Sequence, residues 1–271
     1  MRIGSRTSWP IWGSILLVLA GLVAWEKYVR TSFADPNFAT GYLLFGFLVF
    51  LALYNARKRL AMIPLGRASV WLTAHLAVGV LSLALFWLHS GTLWPLGTAD
   101  QVLAGLFYIV CASGVVGYAL QLWLPGRLAR AGREIIYERI PAEVARIRAE
   151  VEQTVVAAAD ESGHDTLGRY YLQALAWYFA RPRFVWSHAF GGRRAEYWFH
   201  RHLDTIGRYL SEPERRHLAR IAALGTEKKN VDVQYAMQSL LKRWTFLHVP
   251  FAGALLVVAS WHLILVHVFA R

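Results

Sequence analysis

Uncharged, apolar runs long enough to cross a lipid bilayer constrain this chain more than any other feature of it. Residues 37–54, 68–89 and 102–124 contain no Asp, Glu, Lys or Arg, and neither does 244–270. A helix of about 18 or more such residues reaches across the hydrocarbon layer. Lipid offers no partner to an open backbone group, so each run is expected to close its hydrogen bonds internally, as a helix. A shorter run, 11–25, follows Arg2 and Arg6. Its basic start and apolar middle fit a signal peptide, but Leu22-Val23-Ala24 ahead of Trp25 makes a poor small-x-small cleavage site. It reads as a retained first helix. The expectation is an all-helical, polytopic membrane bundle of about five spans.

Five histidines lie inside these runs: His75 and His89 in the third span, His248, His262 and His267 in the last. A neutral imidazole is tolerable in a bilayer only where its nitrogens find partners. Both leading pairs are separated by 14 residues. Fourteen helical steps leave two rings about 40° apart around the axis and about 21 Å apart along it. Two parallel helices would therefore set His75 level with His248, and His89 level with His262. A single transmembrane histidine is more often an interhelical hydrogen-bonder, but two matched pairs are what two porphyrin irons with paired axial ligands require. The reading is two b-type haems, one above the other, in a four-helix core. His267 lies about 140° around the helix from His262 and is expected at the rim. Cys111 is the one cysteine, and no C-x-x-C-H is present, so covalent haem, a disulfide framework and a Cys-rich metal site are excluded.

With His75 and His89 on one helix and His248 and His262 on another, the chain resembles the membrane di-haem cytochrome b class. That class includes the cytochrome b of quinol–cytochrome c reductases and the transmembrane domains of ferric reductases and NADPH oxidases. The resemblance covers the four histidines and their helices. It implies bis-histidine haem ligation and transmembrane electron transfer. It does not extend to a Pro-Glu-Trp-Tyr quinol-site motif or to a flavin or nicotinamide domain with a G-x-G-x-x-G turn, neither of which occurs here.

Charge orients the bundle. Arg57, Lys58, Arg59 and Arg67 flank the second connection, and Arg127, Arg130 and Arg133 follow the fourth span. The third connection, 90–100, has no Lys or Arg. The positive-inside rule puts the N-terminus, the second connection and the long insert in the cytoplasm of a bacterium and the C-terminus in the periplasm, with the protein in the inner membrane. The third and fifth spans then run the same way, as the histidine pairing demands. Arg57, Lys58, Arg59, Arg67, Lys242 and Arg243 are candidates to meet haem propionates at the inner level, or serve only as topology determinants. Gly79 and Gly253, just after the inner-level histidines, and Gly105, Gly114 and Gly117 are candidates to clear space for a ring or a neighbouring helix.

Three parts follow: spans one to four (1–126), a polar insert (127–243) and the last span (244–271). The insert holds 20 Lys and Arg against 14 Asp and Glu. Ile135, Ile136, Ile140, Val144, Ile147, Val151 and Val155 recur at helical spacing, with Pro141 an interruption or restart. A turn is expected over 160–165, a second helix over 167–180, an aromatic loop over 183–194, a helix over 196–210, an N-cap at Ser211, and a helix over 227–243 leading into the last span. The histidines at 188, 200, 202 and 217 are expected on the surface or in the core. The insert suits an anionic membrane face or an acidic redox partner, and no nucleotide, flavin or iron–sulfur motif is present. The overall charge of +12 belongs to cytoplasmic loops and anionic lipid rather than to nucleic acid. The function expected is electron transfer across the inner membrane between a redox partner protein and a quinone or second redox protein. A histidine-using proton or metal-ion transporter is the alternative, though no Asp or Glu lies well inside a span. So is a non-catalytic assembly subunit, which leaves the equal spacing unexplained.

Overall fold

The computed structural model describes residues 5–31, 36–59, 67–128 and 135–269, and among these there are helices and turns but no strand. The helices are α1 (Ser5–Thr31), α2 (Pro36–Arg59), α3 (Ala68–Ser90), α4 (Thr98–Leu128), α5 (Ile140–Ser162), α6 (Thr166–Tyr170), α7 (Ala176–Phe179), α8 (Val185–Phe190), α9 (Arg194–Gly207) and α10 (Glu212–Phe269). Among the described residues, four helices are long and apolar enough to cross a membrane: α2, α3, α4 and α10. In α1 the described apolar stretch, Leu16–Trp25, is shorter. The chain divides into two compact units, Met1–Ala119 with Trp244–Arg271, and Leu120–Arg243.

The first unit is an up-and-down bundle. Phe50 stacks on Trp71 at 5.9 Å and Thr40 Oγ1 lies 3.2 Å from His89 Nδ1, so α2 and α3 are antiparallel. Phe86 stacks on Phe107 at 4.5 Å, and Trp87 donates its indole N–H to the Tyr108 hydroxyl at 3.0 Å, pairing α3 with α4. Trp244 donates to the Ser113 carbonyl at 2.7 Å while His262 faces Asp100 at 3.4 Å, so α10 runs against α4. Hence α3 and the C-terminal part of α10 are parallel. Leu44, Leu85, Phe86, Ala104, Phe107 and Leu255 form the common core. The outward faces stay apolar, with Val115, Val257 and Ile264 exposed, as suits contact with lipid rather than water. Gly91 ends α3 in the left-handed conformation (φ 65°) and its N–H caps the Trp87 carbonyl at 3.0 Å. Glycine takes that backbone geometry without a Cβ penalty.

The second unit is helical throughout. Ile140, Val144, Ile147, Val151 and Val155 are buried along one face of α5 as the spacing predicts, whereas Ile136 is exposed. Pro141 sits in the first turn, where its missing N–H costs nothing. The expected turn at 160 starts only at Gly163, because α5 runs on through Ser162. The helix expected over 167–180 is broken by a π turn, Tyr171–Leu175, between α6 and α7. The expected loop at 183–194 contains α8. Phe199, Leu203 and Ile206 of α9 pack into the same core as α5, and Phe199 presses against the bare backbone of Gly225. At the start of α10, Glu214 reaches back to accept from the Ser211 amide at 3.0 Å and the Leu167 amide at 3.2 Å. This is the capping-box arrangement. Burial opposes its charge, but these bonds hold the Glu214 carboxyl below its ordinary pKa.

Candidate haem-ligand site

The histidines of the first unit do not share one environment. His89 and His262 line a single apolar cavity between α2, α3, α4 and α10, walled by Leu44, Phe86, Phe107 and Leu255. It encloses about 90 Å³, within about 700 Å³ of empty space counting the part open to the surroundings. His267, expected at the rim, lines this cavity as well and is exposed, its Nδ1 3.1 Å from the Tyr42 hydroxyl.

Hydrogen bonding fixes which nitrogen carries the proton. His89 Nδ1 is 3.1 Å from the Asn37 carbonyl oxygen. A carbonyl only accepts, so Nδ1 is the donor and the lone pair of the neutral ring lies on Nε2. His262 Nδ1 faces the Asp100 carboxylate at 3.4 Å, an electrostatic approach rather than a hydrogen bond. His248 Nδ1 is 2.7 Å from Ser113 Oγ. That hydroxyl already gives its proton to the Val110 carbonyl at 2.8 Å, so it accepts from His248. In His89 and His248, Nδ1–H is tied to an oxygen and Nε2 is the basic nitrogen, the pattern of metal-ligating histidines.

The inner-level pair is held differently. His75 tilts against the Tyr54 ring of α2 at 5.0 Å. His248 stacks on Trp244 at 5.2 Å and lies along α4 beside Gly114. A cavity joins His89 to His262, and neither His75 nor His248 lines it. Small residues do clear space for rings: a Cβ at Gly41 would come within 2.9 Å of the His89 ring, and one at Gly117 would run into the Trp244 indole. Around Gly79 and Gly253 a Cβ would meet nothing within 4 Å.

Among the described residues no group of three or more His, Cys, Asp or Glu gathers to hold a bare metal ion. The donor set suits a haem iron, whose macrocycle leaves two axial positions to the protein. Of the candidate propionate partners, Lys242 pairs with Glu138 at 2.7 Å, Arg243 approaches Trp186, and Arg67 is exposed just ahead of α3. The side chains of Arg57, Lys58 and Arg59 lie outside the described residues, as do Arg130 and Arg133.

In the second unit His202 meets Tyr170 at 2.8 Å, His217 pairs with Glu161 at 2.8 Å, and His200 is exposed. His188 is buried, and its Nε2 has no hydrogen-bond partner. Burial first, then Lys228 and Lys229, push its pKa down to about 4. Sequence reasoning missed the fully buried ion pair on α10, Lys228 with Asp232 at 2.6 Å, where Lys228 also donates to the Arg181 carbonyl at 2.9 Å. Burial drives Lys228 down and Asp232 up. Their i, i+4 spacing was visible, but on a helix it marks a solvated pair as readily as a buried one.

Compared with known proteins, the chain matches no protein family, no curated protein and no solved structure.

Proposed function

We propose that the chain is a multi-pass b-type cytochrome that binds two haems and passes electrons across a bacterial inner membrane. His89 with His262 would ligate the iron near the outer face, and His75 with His248 the iron near the cytoplasmic face. One observation carries this reading. His89 and His262, on helices far apart in sequence, line one apolar cavity, with His89 Nδ1 bonded to the Asn37 carbonyl and His262 Nδ1 beside the Asp100 carboxylate. The haem supplies one-electron redox chemistry when bound. The chain's own contribution would be to fix the rings of His89 through Asn37 and of His248 through Ser113, to set Asp100 beside His262, and to keep the site apolar. The partners proposed are membrane lipid, a redox partner protein, and a quinone or second redox protein. α1 would be a fifth span.

The test is haem content of the detergent-purified chain with oxidised and dithionite-reduced spectra. About two b-type haems per chain are expected, and His89→Ala or His262→Ala should remove one and leave the other. Purified protein without a Soret band would overturn the reading.

Asp100 beside His262, and Tyr42 beside His267, favour one second reading. Three imidazoles and a phenol around one cavity, with an acidic group beside one of them, are also what a proton or metal-ion pathway would use. In that case purified protein is colourless and Asp100→Asn abolishes pH-driven ion flux in proteoliposomes.

A further inference from the structure

On the second unit five side chains form a ladder: Arg127, Trp123, Phe190, Trp186 and Arg243. The Arg127 guanidinium lies 4.6 Å from the centre of the Trp123 ring. Trp123 meets Phe190 at 6.0 Å, and Phe190 stacks on Trp186 at 6.2 Å. Arg243 closes the far end, 5.9 Å from the Trp186 ring. Trp186 and Phe190 are the i and i+4 residues on the outer face of α8, 58% and 68% exposed, while His188 and Ala189 on its other face are buried. This is a short amphipathic helix with an aromatic outer face.

α8 is held firmly. Arg127 donates to the Ala189 carbonyl at 2.7 Å, and the guanidinium rests where a Cβ on Gly191 would be. Gly191 leaves the helix at φ 78°. Phe184, just before α8, also has positive φ, 52°, a conformation that costs a bulky residue free energy and needs surroundings to impose it. Its ring is fixed by Trp177 at 5.8 Å and Trp198 at 6.0 Å. Aromatic rings held outward by this much structure are a presented surface, not an unpacked remnant.

The place of the ladder in the chain says what covers it. Trp123 and Arg127 lie in the last turns of α4, the first at the end of its apolar run and the second just beyond it, and Arg243 is the residue before the apolar run of α10 begins. Rings followed by guanidiniums at the ends of spans are the arrangement found at a membrane–water boundary, where the rings sit at headgroup level and the cations meet lipid phosphates. Arg193 is not counted, because it pairs with Glu196 at 3.3 Å. We infer that α8 is an interfacial anchor: Trp186 and Phe190 insert among the headgroups of the leaflet that α4 and α10 leave, and Arg127 and Arg243 bind the phosphates of anionic lipid there.

The test uses the full chain with Cys111→Ala and Phe190→Cys, labelled with an environment-sensitive fluorophore and reconstituted in vesicles of phosphatidylcholine with or without phosphatidylglycerol. Strong quenching by lipids carrying a nitroxide near the headgroup, with little quenching by aqueous iodide, is the expected result. Quenching by iodide and not by lipid would overturn insertion. Native mass spectrometry then tests charge selectivity. Phosphatidylglycerol should be retained over phosphatidylcholine, and Arg243→Gln should reduce that retention about fivefold. Arg243→Gln leaves the Arg127 clamp on α8 in place, so lost retention reads out charge and not unfolding. Equal retention of both lipids overturns the anionic part of the inference.

Discussion

Trp244 lays its indole against the backbone of Gly117, donates to the Ser113 carbonyl and stacks on His248, so a residue without a side chain determines where a candidate ligand ring sits. A methyl group at 117 has no room. Gly117→Ala should destabilise the bundle by about 1–3 kcal/mol through overpacking and disturb His248, seen as a lowered melting temperature in detergent and an altered spectrum for one haem. An unchanged melt would mean that Trp244 moves aside freely. At this scale the sequence displays the histidine spacing and the run of small residues on α4. It does not display which ring fills which gap, because that follows from the register of α4 against α10, two helices with 83 residues between them. Nor does it display the tautomers of His89 and His248, which depend on Asn37 and Ser113 reaching particular nitrogens.

Among the elements, α5 is legible from its apolar stripe and the start of α10 from its capping residues, since both depend on local spacing. α8 is not legible. Its six residues are too few to hold a helix by propensity, and what holds them is the Arg127 clamp, Gly191 and the imposed turn at Phe184. Buried within this element, His188 makes the fold sensitive to acid. Its pKa falls from about 6.5 in the unfolded chain to about 4, so the unfolded state takes up the proton first. The stability it contributes is complete above about pH 6.5 and is lost as pH falls toward 4. Asp232, raised by burial, titrates in the opposite sense, so a difference measurement is needed to isolate the histidine. His188→Leu should gain stability relative to the parent as pH drops through this window, by up to roughly 3 kcal/mol. Parallel stability curves for the two proteins would contradict that account.

For the whole molecule, parallel α3 and α10 follow both from the distribution of Lys and Arg and from the contacts of the bundle, two arguments with no shared premise. Charge alone says which end faces the cytoplasm. In a Cys111→Ala background, an impermeant maleimide added to intact cells should label Leu96→Cys, exposed between α3 and α4, and leave Tyr209→Cys, exposed between α9 and α10, unlabelled. The reverse pattern would invert the orientation. The bundle also has a consequence for how the chain is made. Its cavity takes one wall from α2, α3 and α4 and the other from the last turns of α10, with 173 residues between His89 and His262. At a synthesis rate of about 5–20 residues per second, roughly 9 to 35 seconds separate the emergence of the two. During that interval α2, α3 and α4 have been made and the cavity lacks the wall that α10 supplies. Synthesis of α10 thus completes the site, and a ribosome that stalls anywhere in the insert releases a product with half a pocket.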